Sequence, residues 1–475
     1  MPEGAPEPLR EQLLPGINLA GLFRSENGLG EAARLLVATV QESGIPFTTS
    51  TFLRSPSRQG HPFQDHGDGK PIYDINIVAV NADHITLFAQ DIGPRFFRDR
   101  YTIGTWFWET DEFPPRLHGA LEYVDEVWMS SEYSRRAVAR ATEKPTFVFP
   151  LPILEPDYPR DVTRADLGMP AGFTFLFAFD FMSAAKRKNP VGLVRAFKMA
   201  FTDDEGPRLV IKSANGWHRP DDMSELTREI GDRTDITLVD KYVPGGWVTA
   251  MIAQCDSYVS LSRAEGFGLT MAEAMILGKP TVATAYSGNL EFMTPANSYL
   301  VAATEVAVGP GTSIYPAGGR WGDPSLESAA AIMREIAADP AKARRRGAVA
   351  RTDMLEKHSL NARSKLLRDR VETIRATSLP LRRDFGRGFE SVRTIQKAAL
   401  AIGSAPKIEV PVARGGLYGR AARLSRKIFG GMIIPYRHRQ GEVDRLLHEA
   451  VAEQAHRLNR LERDLARSAA DQSIK

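Results

Sequence analysis

At 475 residues the chain exceeds what one ordinary core can hold, so about two or three domains are expected. It is 43% hydrophobic and 25% charged, the balance of a globular protein, and no segment approaches the ~20 apolar residues of a membrane span. Net charge is +3, yet residues 382–440 carry 13 Lys and Arg against three acids, and an acidic body with a basic tail excludes a nucleic-acid binder that uses its whole surface.

Residues 1–15 read as a flexible N-terminus, with Glu3 and Glu7 among prolines where a secretory leader needs a basic start and an apolar run. A cytoplasmic location is therefore expected, with the inner face of the cell membrane as the surface the basic tail can reach. Residues 16–160 alternate short β-branched and aromatic runs (17–23, 75–80, 102–106, 126–130 and 146–149) with helical patterns, the signature of a parallel α/β domain. The first strand runs into RSENGLGEAARLL, a loop that opens a helix through Asn27, Gly28 and Gly30. His84, with Asn81 and Asp83, follows the second strand. The run GTWFWETDEFPP crowds Trp106, Trp108 and Glu109 at the end of the third. Two readings stand for the tryptophans: core packing, or aromatic faces for a sugar with Glu109 bonding a hydroxyl.

A Pro-containing stretch, LPILEPDYPRD, precedes a second series assigned to residues 161–380, with strands at 173–179, 208–212, 236–239, 257–260, 281–284 and 298–302. Two such series read as two doubly wound, Rossmann-like domains facing one cleft. The helical stretch 341–376 is expected to close the second. After its first strand comes MSAAKRKNPVGLVRAF, with Asn189 as N-cap and Pro190 at the first helical position. Lys186, Arg187 and Lys188 then crowd the positive end of a helix dipole, a conflict that a bound anion would remove. Lys212 ends the next strand, and Val243 follows the one after; each suits a cleft wall or the scaffold.

The most informative stretch is DSYVSLSRAEGFGLTMAEAMILGKPTVAT, which reads strand, loop, helix, turn, strand. Gly266 and Gly268 permit a tight turn, Phe267 and Leu269 flank it, and Thr270 stands where an N-cap belongs. The exposed N–H groups of such a helix start favour an anion such as a diphosphate. Glu265 lies just before the helix and Glu273 in its first turn. Thr270 to Glu273 also spells a capping box, so a purely structural role for Glu273 stays open. Cys255, alone in the chain, cannot form an internal disulfide and reads as packing.

With Ser262, Arg263, Glu265, Gly266, Phe267, Gly268, Glu273, Ala274, Gly278 and Pro280 in place, this string resembles the GT-B glycosyltransferases grouped as family 4, whose hallmark is Glu, seven residues, Glu. The resemblance implies a GT-B fold and transfer of a hexose from GDP- or UDP-sugar to a glycan or lipid-linked acceptor, with retention. It implies that Glu265 bonds donor-sugar hydroxyls and Glu273 the nucleotide ribose, and that the nucleotide sugar is a co-substrate with no further cofactor. Such enzymes place a basic pair on the donor diphosphate; Lys188 fits the lysine, whereas Ser183 stands where the arginine falls, which makes Arg187 the replacement. Lys212 and Val243 then fall on the donor side, and Asn27, Gly28, Gly30, His84, Trp108 and Glu109 on the acceptor or phosphate-loop side. Ser287, Gly288, Asn289 and Glu291 resemble a Gly-Gly-x-x-Glu loop with Ser at its first glycine. Asp-x-Asp, the usual metal-holding pair of the other transferase class, is absent from the sequence, so no metal is expected. A nucleotide-sugar 2-epimerase, or a catalytically weak scaffold of an envelope-glycan complex, are the competing readings.

Residues 381–440 form a basic connector in which Arg420, Arg423, Arg426 and Lys427 precede the apolar run from Ile428 to Ile434. This suits an anionic membrane surface or docking on the body. Residues 441–475 read as an amphipathic helix, with Leu447, Val451, Leu458, Leu461 and Leu465 on one face.

Overall fold

The computed structural model describes residues 13–378, save 56, 204, 311 and 313. The basic connector and the C-terminal amphipathic helix lie outside the described residues. The chain divides into two compact units, residues 1–114 with 124–382, and residues 115–123 with 383–475. Of the second unit the described part, Pro115–Tyr123, is a 3-10 helix.

The first unit holds two parallel sheets. In chain order the first comprises β1 (Leu14–Gly21), α1 (Gly28–Ser43), β2 (Phe47–Thr51), β3 (Tyr73–Ala79), α2 (Ile85–Ile92), β4 (Tyr101–Trp106), β5 (Glu126–Met129), α3 (Glu132–Ala139) and β6 (Thr146–Val148). Its strand order is β2-β1-β3-β4-β5-β6. The second comprises β7 (Thr174–Asp180), α4 (Ala185–Lys188), α5 (Pro190–Ala200), β8 (Arg208–Ala214), α6 (Pro220–Ile230), β9 (Ile236–Asp240), α7 (Trp247–Gln254), β10 (Ser257–Ser260), α8 (Leu269–Ile276), β11 (Thr281–Thr284) and β12 (Tyr299–Val301). Its order is β12-β11-β10-β7-β8-β9. Each order reverses direction once, and in such sheets ligands sit beyond the strand C-termini at the reversal. In the second sheet the reversal falls between β7 and β10, which brings the loops carrying Arg187, Lys188 and Glu265 side by side.

The sequence dictates these strands because both faces of the sheets are covered. Thr174 to Phe179 are all buried, as a parallel strand between two helical layers requires. Its phenylalanines pack with Leu193, Phe197, Leu209 and Val259 on one face, while Leu176 and Ala178 meet Met251, Met271 and Met275 on the other. Cys255 lies inside this second layer, where burial raises its thiol to about 12, so it packs rather than reacts.

Three features depart from expectation. Strand β2 was not anticipated; it is a short edge strand paired to β1. After β12 the chain adds an antiparallel hairpin, β13 (Ala303–Ala307) with β14 (Arg320–Pro324), before α9 (Leu326–Ala338) and α10 (Pro340–Lys357). The last described helix, α11 (Leu360–Thr377), does not close the second domain: its Leu367, Val371 and Ile374 enter the core of the first, with Ile17, Leu36 and Trp128. Two ion pairs explain the crossing. Arg370 forks onto the fully buried Glu126 at 2.8 and 2.7 Å, and Arg375 bonds Asp74 at 3.1 and 3.0 Å.

Candidate active site

Asn189 caps α5, its side-chain oxygen accepting the Gly192 N–H at 3.3 Å, with Pro190 at the first position. Of the three basic residues before it, Lys186 is exposed while Arg187 is buried and Lys188 half-buried. They form the single turn α4, which turns Arg187 and Lys188 into the molecule beside the loop after β10. Lys188 Nζ donates to Glu265 Oε1 at 2.5 Å. The Arg187 guanidinium donates to Glu265 Oε2 at 3.1 Å and to the Ala264 carbonyl at 2.7 Å. Arg187 is only 4% exposed and Glu265 8%. Burial by itself would raise the Glu265 carboxyl; Lys188 and Arg187 reverse this and hold it down at about 2. Burial likewise pulls the Lys188 ammonium down, with Glu265 opposing it. Two cations thus face one carboxylate in a nearly dry pocket, a charge balance that favours one more anion.

Glu109 supplies part of that balance. It comes from the loop after β4 of the first sheet and reaches Arg187 across the cleft at 3.9 Å. Its other oxygen accepts from the Tyr315 hydroxyl at 3.0 Å. Tyr315 was not singled out in the sequence, since nothing in the pattern marks the hairpin loop that carries it. Trp108 does not offer a face to a sugar. It is 3% exposed, donates to the Glu112 carbonyl at 2.7 Å, and packs edge-on against Phe113 and Tyr315. Trp106 is buried likewise, stacked on Phe113.

The loop Glu265–Gly268 is clamped from both sides. Ser130 of the first sheet donates to the Gly266 carbonyl at 3.0 Å. Gly288 donates its N–H to the Glu265 carbonyl at 2.9 Å; a Cβ on Gly288 would lie 2.2 Å from the Gly266 oxygen, so only glycine fits. Ser287, where the resembling pattern has glycine, adopts φ 71° and accepts the Glu265 N–H on its hydroxyl at 2.8 Å. Glu291 of the same loop accepts the Glu132 N–H at the start of α3. Phe267 is buried against Phe292.

Thr270 is not the N-cap of α8. Gly268, with φ 102°, caps the helix, which starts at Leu269 with no side-chain acceptor for its first N–H groups. The reciprocal capping box is therefore absent. Glu273 lies in the first turn, half-buried, and burial with the facing Glu31 carboxylate pushes it up to about 8. Glu31 belongs to the first turn of α1, where Asn27 is the N-cap, accepting the Gly30 N–H at 2.8 Å. The loop with Gly28 and Gly30 thus faces the start of α8 across the cleft.

Other expected residues lie apart from this cluster. Lys212 is buried, with its ammonium donating to the Ser213 and Lys241 carbonyls at 2.5 and 2.6 Å, and burial lowers it to about 8; it braces the ends of β8 and β9 rather than reaching into the cleft. Val243 follows β9, half-buried. His84 precedes α2 and pairs with Asp83 at 3.0 Å, which raises the imidazole. A cavity of about 20 Å³ under α1, lined by Leu36, Ala79, Trp106 and Trp128, has room for one water and belongs to the first sheet's core. Among the described residues no group of three or more His, Cys, Asp or Glu side chains is disposed to hold a metal ion, and no helix is long and apolar enough to cross a membrane.

Residues 181–307, which contain α4, the Glu265 loop and α8, match the family described as Glycosyl transferases group 1. Solved structures share the chain's fold at low identity. A sucrose-phosphate synthase from Thermosynechococcus elongatus matches with TM-score 0.57 and 16% identity over 77% of this chain and 100% of that one. HepE of Anabaena, solved with UDP and glucose, matches with TM-score 0.54 and 16% identity over 76% and 100%. The fold is GT-B. The chain spans 55% of the length of S. aureus TarM, with TM-score 0.47 and 13% identity over 62% of its own residues. A comparison with curated proteins finds no significant match.

Proposed function

We propose that the chain is a glycosyltransferase that moves a hexose from a UDP- or GDP-sugar to a glycan or lipid-linked acceptor, as a retaining, family 4-like enzyme of polysaccharide or glycoconjugate synthesis. The observation that carries the reading is the buried Arg187–Glu265–Lys188 cluster at the reversal point of the second sheet. It supplies fixed cations beside a carboxylate and the uncapped start of α8, an arrangement suited to a diphosphate joined to a sugar. UDP and glucose in HepE support the same ligand class.

In this reading Lys188, Arg187 and the N–H groups of Gly268 and Leu269 at the start of α8 neutralise the leaving diphosphate without a metal. Glu265 accepts hydroxyls of the donor sugar, while Glu273 accepts those of the ribose and Val243 borders the base. Asn27, Gly28, Gly30, His84 and Glu109 face the acceptor side. The leaving phosphate oxygen takes the acceptor proton on the front face, and the fixed dipoles stabilise the cationic sugar. The basic connector, 382–440, is the part proposed to meet an anionic membrane or the protein's own body.

Incubation with a panel of UDP- and GDP-hexoses tests this. Slow release of nucleoside diphosphate from one donor, accelerated by glycan acceptors, is expected. Conversion of the donor to its 2-epimer would favour the epimerase, and no turnover of any donor would favour a scaffold.

A further inference from the structure

The hairpin β13–β14 stands outside both sheets, yet its tip is built into the active site. Val308 N–H to the Gly319 carbonyl at 2.7 Å and Gly309 N–H to the Ala317 carbonyl at 3.0 Å close the tip. Its stem is fastened to the Glu265 loop by Gly322 N–H on the Arg263 carbonyl at 2.9 Å and by Arg263 with Asp323 at 2.8 Å. It is fastened to the first sheet by Arg320 N–H on Asp111 at 2.7 Å. Tyr315 is thereby driven between Trp108 and Trp321, with ring centroids 5.5 and 6.4 Å away, and only 5% of it is exposed.

A tyrosine buried only for packing leaves its hydroxyl to any nearby carbonyl. This one donates to Glu109 Oε2, while Glu109 Oε1 stops 3.9 Å from the Arg187 guanidinium, beyond hydrogen-bond reach. Burial, opposed by Arg187 and aided by Glu109, keeps the phenol protonated and so a donor. A buried carboxylate beside an arginine closes onto it as a direct, charge-assisted pair unless something else holds it. An arginine so closed is less available to a phosphate.

We propose that Tyr315 is a positioning residue that holds Glu109 off Arg187, keeping the guanidinium available to the donor diphosphate. This rests on the donor-site reading above. The tether acts through the charge of Glu109, which separates it from a packing role of the ring.

The test is calorimetric titration of UDP and of GDP into the wild-type chain, Tyr315→Phe, Glu109→Gln and the double variant, with thermal melting to establish that each is folded. Tyr315→Phe, which keeps the ring, should weaken the better nucleotide by about tenfold, a coupling typical of contacting groups. In the Glu109→Gln background, where no carboxylate is left to capture Arg187, the same substitution should change affinity by less than about twofold. Unchanged affinity in Tyr315→Phe, or an equal loss in both backgrounds, overturns the inference and leaves the donor site standing. A wild-type chain that binds neither nucleotide overturns the donor-site reading and the inference with it.

Discussion

Lys188 and Glu265, 77 residues apart in the chain, meet at 2.5 Å because β7 and β10 are neighbours at the reversal of the second sheet. Glu265 is held down at about 2 against an ordinary 4.5. A carboxylate lowered on folding adds stability that is complete above its unfolded value and disappears as pH falls toward its folded one. The wild-type chain should therefore lose melting temperature between about pH 4.5 and 2. Glu265→Gln should show a flatter curve, with the gap between the two narrowing as the solution is acidified.

Glu273 has the opposite sign. Its folded value, about 8, lies above the ordinary 4.5, so the folded chain binds more protons in that window and loses stability as pH rises through it. Glu273→Gln should remove this slope in melting curves taken from pH 5 to 9. Ribose hydroxyls favour the ionised carboxylate, so UDP binding at pH 7 should release about one proton. Calorimetry in buffers of different ionisation enthalpy should report it for the wild type and not for Glu273→Gln.

Ser287 combines a left-handed backbone with a buried hydrogen bond to the Glu265 N–H. Ser287→Ala keeps the strain and loses the bond, so it should cost about 1–3 kcal/mol in denaturant unfolding. Ser287→Gly loses the same bond but relieves about 1–2 kcal/mol of backbone strain, and should unfold close to the wild type.

Removing Arg370 leaves Glu126 fully buried with, among the described residues, Trp128 Nε1 at 2.7 Å and the Tyr101 hydroxyl at 2.9 Å as its remaining side-chain partners. Arg370→Ala should cost about 3–5 kcal/mol. Hydrogen exchange should show α11 losing protection ahead of β7 and β10, because α11 is anchored to the first domain.

The two sheets were legible because their strands are continuous apolar runs broken at Gly, Pro and Asn, as in Thr174 to Phe179. The hairpin was not, since the polar alternation of Ala303 to Ala307 resembles loop. Arg187, Lys188 and Glu265 could be nominated singly from the loops that carry them; their mutual pairing depends on strand order, which no local pattern encodes. Thr270 was misplaced because Gly268 in the left-handed region starts the helix before it. Tyr315 escaped notice because its significance comes from Glu109, 206 residues away.

The central claim is that Lys188 belongs to the site that binds the diphosphate of a nucleotide sugar. Titration of UDP and GDP into the wild-type chain and Lys188→Ala tests it most directly, with Arg195→Ala, which removes an exposed pair with Glu229, as the control. One charge-assisted bond contributes about 1.5–3 kcal/mol, so Lys188→Ala should bind the better nucleotide about ten- to a hundredfold more weakly, while Arg195→Ala binds as the wild type does. Equal affinity in a folded Lys188→Ala, or no nucleotide binding by the wild type, would contradict the account.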